Sequence, residues 1–222
     1  MATVTPLLPE LFEEAYERAG LQMHSGYDLR TARRSLNLLM LEWQNRGLNL
    51  FTIESGTQAL SSGVATYTMP TDTIDLIEHQ VRTGTGTSQT DANLNRITVS
   101  DYAKIANKNT TGRPVEIFIQ RLASSVTATL WPVPDSSDYT LFYYRLAGID
   151  GVSGGIGSSA DVPPRFVPAL VAGLAYQIAM KRPGAEDRLA LLKGEYEAQF
   201  QMAADEDRDR SSFRFIPWGA MR

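Results

Sequence analysis

The spacing of apolar residues changes twice along the chain. From Pro9 to Ala19 they recur at Leu11, Phe12, Ala15, Tyr16 and Ala19, three and four apart as on one face of a helix, and Gly20 follows as a stop. A second helical pattern spans Tyr27–Arg46, with Leu29, Ala32, Leu36, Leu39, Met40 and Trp43 on one stripe and Gly47 where a left-handed cap belongs. Leu38 and Leu41 lie off that stripe, which predicts a helix covered on two sides.

After Gly47 the pattern shortens to runs of β-branched and aromatic residues: LNLFTIESG, VATYTMP, IDLIEHQVRT, PVEIFIQRL, TATLWPVP and YTLFYYRLAG. Turn formers such as Ser62-Gly63, Gly84-Thr85-Gly86 and Asp135-Ser136-Ser137 separate them. Only SDYAKIANK, Ser100 to Lys108, reads as helix here, with Ser100 as its N-cap. Strands at this spacing predict an antiparallel barrel or sandwich rather than βαβ units. Helix returns at Pro163-Pro164 with Phe166, Leu170, Leu174 and Ile178 among small residues that let another helix approach. After Pro183-Gly184 a last helix carries Leu189, Leu192, Tyr196, Phe200 and Ala203 inward.

The expected fold class is therefore α+β: a four-helix bundle made by Pro9–Ala19, Tyr27–Arg46, Pro164–Arg182 and Ala185–Arg210, with a β domain inserted between its halves. The boundaries that follow are a first half at 1–48, the β domain at 49–148, a Gly/Ser-rich connector at 149–162, a second half at 163–210 and an extended tail at 211–222. That tail, SSFRFIPWGAMR, places Phe213, Phe215, Ile216 and Trp218 after the charged run Asp205–Arg210. Such side chains need burial in their own core or in another protein.

Composition adds mostly exclusions. The 222 residues are 43% hydrophobic and 21% charged with a formal net charge of −4, which gives no prior for nucleic acid. There is no cysteine, hence neither disulfide nor thiolate metal site, and two histidines, His24 and His79, sit in unrelated contexts. No metal or cofactor is expected. The N-terminus lacks signal-peptide character, and no apolar run approaches the roughly 20 residues of a membrane span. The expectation is a protein folded in a reducing cytoplasm, with no membrane partner. Gly155-Ile156-Gly157-Ser158-Ser159-Ala160 matches a dinucleotide fingerprint in form, but Asp161 and two prolines separate it from the next helix, so it reads as a linker. Glu13-Glu14 and Asp75/Glu78 are carboxylate pairs of the kind glycosidases use, and exposed faces carry such pairs everywhere. Arg30, Arg33 and Arg34 form a basic cluster that reads as a solvated face, an ion-pair partner for the acidic last helix, or a patch facing DNA phosphates.

Two passages carry a family resemblance. ARRSLNLLMLEWQNRGLNLFTIESGTQAL, Ala32 to Leu60, and PALVAGLAYQIAMKRPGAEDRLALLKGEYEAQFQMAADEDRDR, Pro168 to Arg210, resemble the tail tubular protein A family, the head-to-tail adaptors (connectors) of short-tailed bacteriophages. The resemblance implies a structural, non-enzymatic virion protein of the neck, assembled in the host cytoplasm. It implies a ring of twelve copies under the portal protein that extends the channel, passes genomic DNA without reading its sequence, and docks the tail nozzle protein. It also implies portal binding by the C-terminal segment, on Phe213, Arg214, Phe215, Ile216, Pro217 and Trp218. For a ring, the off-stripe Leu38 and Leu41 are the expected contacts between neighbours. The functions kept beside this one are a tail-associated peptidoglycan hydrolase and a DNA-contacting packaging-completion factor.

Overall fold

The computed structural model describes residues 7–24, 26–47, 50–149, 160 and 162–208. Mixed helix and sheet make it an α+β protein, and its contacts divide into two compact units, 1–39 with 154–222 and Met40–Ser153. The division falls inside the second helix.

The first unit contains α1 (Leu8–Arg18), the first turns of α2 (Gly26–Asn45), α4 (Val167–Ala179) and α5 (Leu189–Glu206). Helix α1 starts with proline in its first turn and the Glu10 carboxylate accepting from the Leu7 N–H at 2.9 Å. It ends in a Schellman turn: Gly20 has φ +73°, its N–H donates to the Glu17 carbonyl, and the Leu21 N–H donates to that of Tyr16. Helix α4 is shorter than its apolar pattern. A single 3₁₀ turn, Pro164–Phe166, precedes it, and after Ala179 the Lys181 and Arg182 N–H groups donate three residues back instead of four. Pro183 disfavours helical geometry at Arg182, which accounts for the tightening. Helix α5 likewise begins four residues later than expected, after a 3₁₀ turn at Glu186–Arg188, and Leu189 is only half-buried.

The expected inward stripes otherwise hold. Phe12, Tyr16, Leu36, Leu39, Leu170, Leu174, Ile178, Leu192 and Tyr196 are all buried. Gly173 shows how close the helices come: a Cβ there would lie 2.8 Å from the Tyr196 ring and 2.9 Å from a Leu39 methyl. Polar links add register. The Tyr16 hydroxyl donates to the Asp28 carbonyl at 3.2 Å, Arg182 pairs with the Asp28 carboxylate, and Arg165 pairs with Asp207.

Beyond the end of α2, the second unit holds ten strands, one short α-helix and two 3₁₀ turns among the described residues. One sheet runs β1 (Ile53–Ala59), β10 (Thr140–Ala147), β3 (Thr73–Thr83), β4 (Thr90–Asn93); the other runs β2 (Thr66–Thr68), β8 (Val126–Trp131), β7 (Glu116–Arg121), β5 (Asn95–Ile97). A two-residue pair, β6 (Thr111–Gly112) with β9 (Val133–Pro134), completes it. Pairing is antiparallel except for β5–β7 and β6–β9, which are parallel. Neither four-stranded sheet closes on itself, so the barrel alternative is corrected in favour of two sheets that share one core. Leu76, Val81, Leu141 and Tyr143 from the first meet Tyr67, Ile117, Ile119, Ala128 and Leu130 from the second. Short-range detail fits: Gly56 lies opposite Tyr143, whose ring occupies the space a side chain would need. The helix α3 (Val99–Lys104) is capped by Thr98, which accepts from the Asp101 N–H at 3.2 Å, and not by Ser100 as the sequence suggested. Thr98 wins because Asp101, three residues on, also takes its hydroxyl proton at 2.7 Å.

Candidate functional site

Among the described residues no group of three or more His, Asp or Glu is placed to hold a metal, and no helix is long and apolar enough to cross a membrane. The two histidines stay unrelated. His24 is exposed in the loop after α1; His79 is buried on β3 with its Nε2 lacking any partner, and desolvation holds its pKa below the usual 6.5. One member of each carboxylate pair is engaged structurally. Glu14 binds Arg18 at 2.8 Å, and Asp75 binds Arg96 at 2.9 Å while accepting from the Leu76 N–H. The fingerprint-like glycines at 155–157 and the whole C-terminal segment Phe213–Trp218 lie outside the described residues.

What the fold does present is two uncovered helix faces in the first unit. On α2, Tyr27 and Leu38 are 58% and 56% exposed, and Arg30 and Arg34 lie between them at helical spacing. Leu41, one turn further on, is 54% exposed. Both leucines expected at a contact between copies therefore face solvent in the single chain. A groove of about 490 Å³ runs beside this face, lined by Tyr27, Thr31, Arg34, Leu38, Lys181 and Pro183. Arg182, which also lines it, pairs with Asp28, whereas Arg34 reaches the Thr31 hydroxyl at 3.4 Å and Lys181 the Ser35 hydroxyl at 2.6 Å, neither with a carboxylate partner among the described residues. Burial, and then the neighbouring Arg34 charge, pull the Lys181 pKa below the ordinary lysine value.

Of the predicted basic cluster, Arg30 and Arg34 are solvated, whereas Arg33 is half-buried. Arg18 binds Glu195 of the last helix at 2.9 Å, and Arg165 pairs with Asp207 at its end. The Arg18–Glu195 pair borders the second face, on α5, where Leu191 and Met202 are 72% and 66% exposed and Ala198 stands between them. Arg18 also binds Glu14 at 2.8 Å, and the Arg188 guanidinium lies against Gly20 at the end of α1. The α5 face escaped the sequence reading because Leu191 and Met202 alternate with inward Leu192 and Ala203, and small residues blur the stripe. Lys181 escaped because the pattern placed it inside a helix instead of at the turn that points it toward Ser35. The signal available for the α5 face was the four-three-four spacing of Leu191, Glu195, Ala198 and Met202.

No curated protein matches this chain. A family model described as SU10 adaptor protein matches residues 10–217, nearly the whole length and both of the units just described. The chain belongs to the SU10 adaptor protein family.

Proposed function

We propose that the protein is a head-to-tail adaptor of a bacteriophage virion that forms a ring under the portal, extends the DNA channel and docks the tail nozzle. Membership of the adaptor family supports a structural virion protein that meets portal and tail components and oligomerises. The finer features come from the likeness to tail tubular protein A: a ring of twelve, a bundle built by all four long helices, and portal capture by the C-terminal segment. The domain limits 1–48, 49–148, 149–162, 163–210 and 211–222 belong to the same reading.

The observation that carries it is the pair of leucines, Leu38 and Leu41, left more than half exposed on a long helix. An apolar stripe of this kind on a folded surface marks a protein contact. Sedimentation of the purified chain, alone and then with portal protein, tests the reading. A complex of fixed stoichiometry is expected, and the absence of any complex would overturn it.

Removing 211–222 separates the role of the C-terminal segment. Portal affinity should fall by orders of magnitude while the melting temperature moves little, because aromatic anchors dominate interface energy. The rival functions have their own readouts. A muralytic enzyme clears a peptidoglycan gel and loses that activity when one carboxylate becomes an amide. A DNA-contacting factor shows steep salt dependence that disappears in the Arg30/Arg33/Arg34 triple alanine.

A further inference from the structure

The outer face of the sheet β1–β10–β3–β4 carries one arrangement of side chains twice and completes it once. On β10, Leu141 and Tyr143 enter the core, so Phe142 and Tyr144 lie on the outer face, their ring centroids 5.4 Å apart and edge to face. Arg82 of β3 lays its guanidinium over the Phe142 ring, 4.4 Å from the centroid. It donates at the same time to both carboxylate oxygens of Asp91 on β4, each at 2.9 Å. A flat cation thus rests on an aromatic face while a carboxylate takes up its N–H groups.

One rung along, Tyr144 stands directly opposite Glu78 of β3. Opposed side chains on one face of an antiparallel pair have Cβ atoms about 5 Å apart. The ring and the carboxylate of the first rung are therefore repeated, and Tyr144 is 42% exposed. The guanidinium is not repeated: Glu78 forms neither a hydrogen bond nor an ion pair among the described residues. On its other flank Tyr144 faces Ser55, small and exposed on the edge strand β1, so a long side chain has room to approach from there.

We propose that Tyr144 and Glu78 form a docking site for an arginine side chain carried by a partner protein. The chemistry of the rung selects that occupant. Glu78 calls for a cation, and the ring favours a flat, weakly hydrated one, which describes a guanidinium better than the compact, strongly hydrated ammonium of lysine. A second copy docking by the same face would set Glu78 against Glu78, and a nucleic acid would bring phosphates to a carboxylate. The site does not depend on the ring: a chain that failed to assemble on portal protein would leave it standing.

The test uses the full-length chain labelled for NMR at its tyrosine rings, with the Tyr144 signal assigned as the one lost in Tyr144→Phe. Nα-acetyl-arginine amide is the probe, followed on the protein and on the ligand's own signals. A saturable shift of Tyr144 is expected. The matching lysine amide should bind about fivefold more weakly, and the citrulline amide, which keeps the shape without the charge, should give no saturable shift. Glu78→Gln should weaken arginine binding about fivefold and Tyr144→Thr about threefold. The citrulline comparison needs only the parent chain and decides the point even where a variant fails to fold. No Tyr144 shift with the arginine amide, or equal binding of arginine and citrulline, would overturn the proposal. So would a Tyr144 shift that follows protein concentration without any probe, which assigns the face to a second copy, or one produced by duplex DNA and not by the arginine amide.

Discussion

His79 is a histidine that folding makes harder to protonate. It is 8% exposed on β3, its Nε2 has no partner, and desolvation outweighs Glu78 and Asp75, which favour the charged form, while Arg96 opposes it. With the folded pKa lowered from 6.5, the unfolded chain takes the proton first. The contribution is complete above pH 6.5 and is lost as pH falls from there through the lowered folded value. Urea midpoints measured in steps below pH 7 should therefore decline, and His79→Leu should flatten that decline without lowering the neutral-pH midpoint, since an apolar side chain removes an unsatisfied buried nitrogen. Arg145 acts in a more acidic range. Its guanidinium holds both oxygens of Asp72 at 2.6 and 2.8 Å and reaches Glu54 at 2.6 Å, which lowers the Asp72 pKa from 3.8. A lowered carboxylate stabilises above its unfolded pKa, so this contribution is present above pH 3.8 and disappears as pH falls through the folded value. Arg145→Met leaves two carboxylates together, both over a third exposed and therefore screened by solvent, and should cost about 1 kcal/mol in chemical denaturation at neutral pH.

At the scale of helices, two glycines make opposite predictions for the same substitution. Gly194 sits within α5 with nothing within 4 Å of a Cβ, so Gly194→Ala should gain about 0.5–1 kcal/mol from helix propensity alone. Gly173 sits within α4 where the Cβ would meet the Tyr196 ring and a Leu39 methyl inside 3.0 Å, so Gly173→Ala should lose about 1–3 kcal/mol despite the same propensity gain. Thermal melts of the two variants against the parent decide it; stabilisation by both would mean that α2 and α5 can step back from α4. The close approach itself was legible, because Ala169, Ala172, Gly173 and Ala175 form a run of small residues on a helical pattern. The six runs rich in β-branched and aromatic residues also became strands, β1, β2, β3, β7, β8 and β10. The strands that were not legible are β4, β5 and β6, two to four residues each, and the run TATLWPVP divides into β8 and the two-residue β9. Thr90–Asn93 has no buried residue and Thr111–Gly112 none either, so they owe their form to the neighbour they pair with and not to their own pattern. The same limit applies to the candidate contact faces: Leu38 and Leu41 stood out as departures from a strong stripe, whereas Leu191 and Met202 had no strong stripe to depart from.

Across the whole molecule a net charge of −4 hides a local excess of positive charge. Arg34 and Lys181 line one groove with the exposed Tyr27 and Leu38, Arg30 follows Tyr27 on the same helix, and none of the three pairs with a carboxylate among the described residues. Such an arrangement makes association depend on salt in a particular way. Exposed charge pairs are screened over a Debye length of about 10 Å at 0.1 M salt, while burial of leucine and methionine is not weakened by sodium chloride. Self-association of the full chain, followed by sedimentation across a sodium chloride series, should therefore weaken at first and then level off at a residual apolar contribution. Leu38→Asp should abolish the residue at every salt concentration, since it removes the apolar centre and places a carboxylate at it. Arg34→Gln should do the reverse: it should lower association at low salt and converge on the parent curve at high salt. Curves that fall steadily to zero would mean that the contact is ionic throughout and that the exposed leucines contribute nothing to it. Curves insensitive to salt would mean that the charges at the margin only steer the approach of copies, a rate effect that stopped-flow mixing at low and high salt would then reveal.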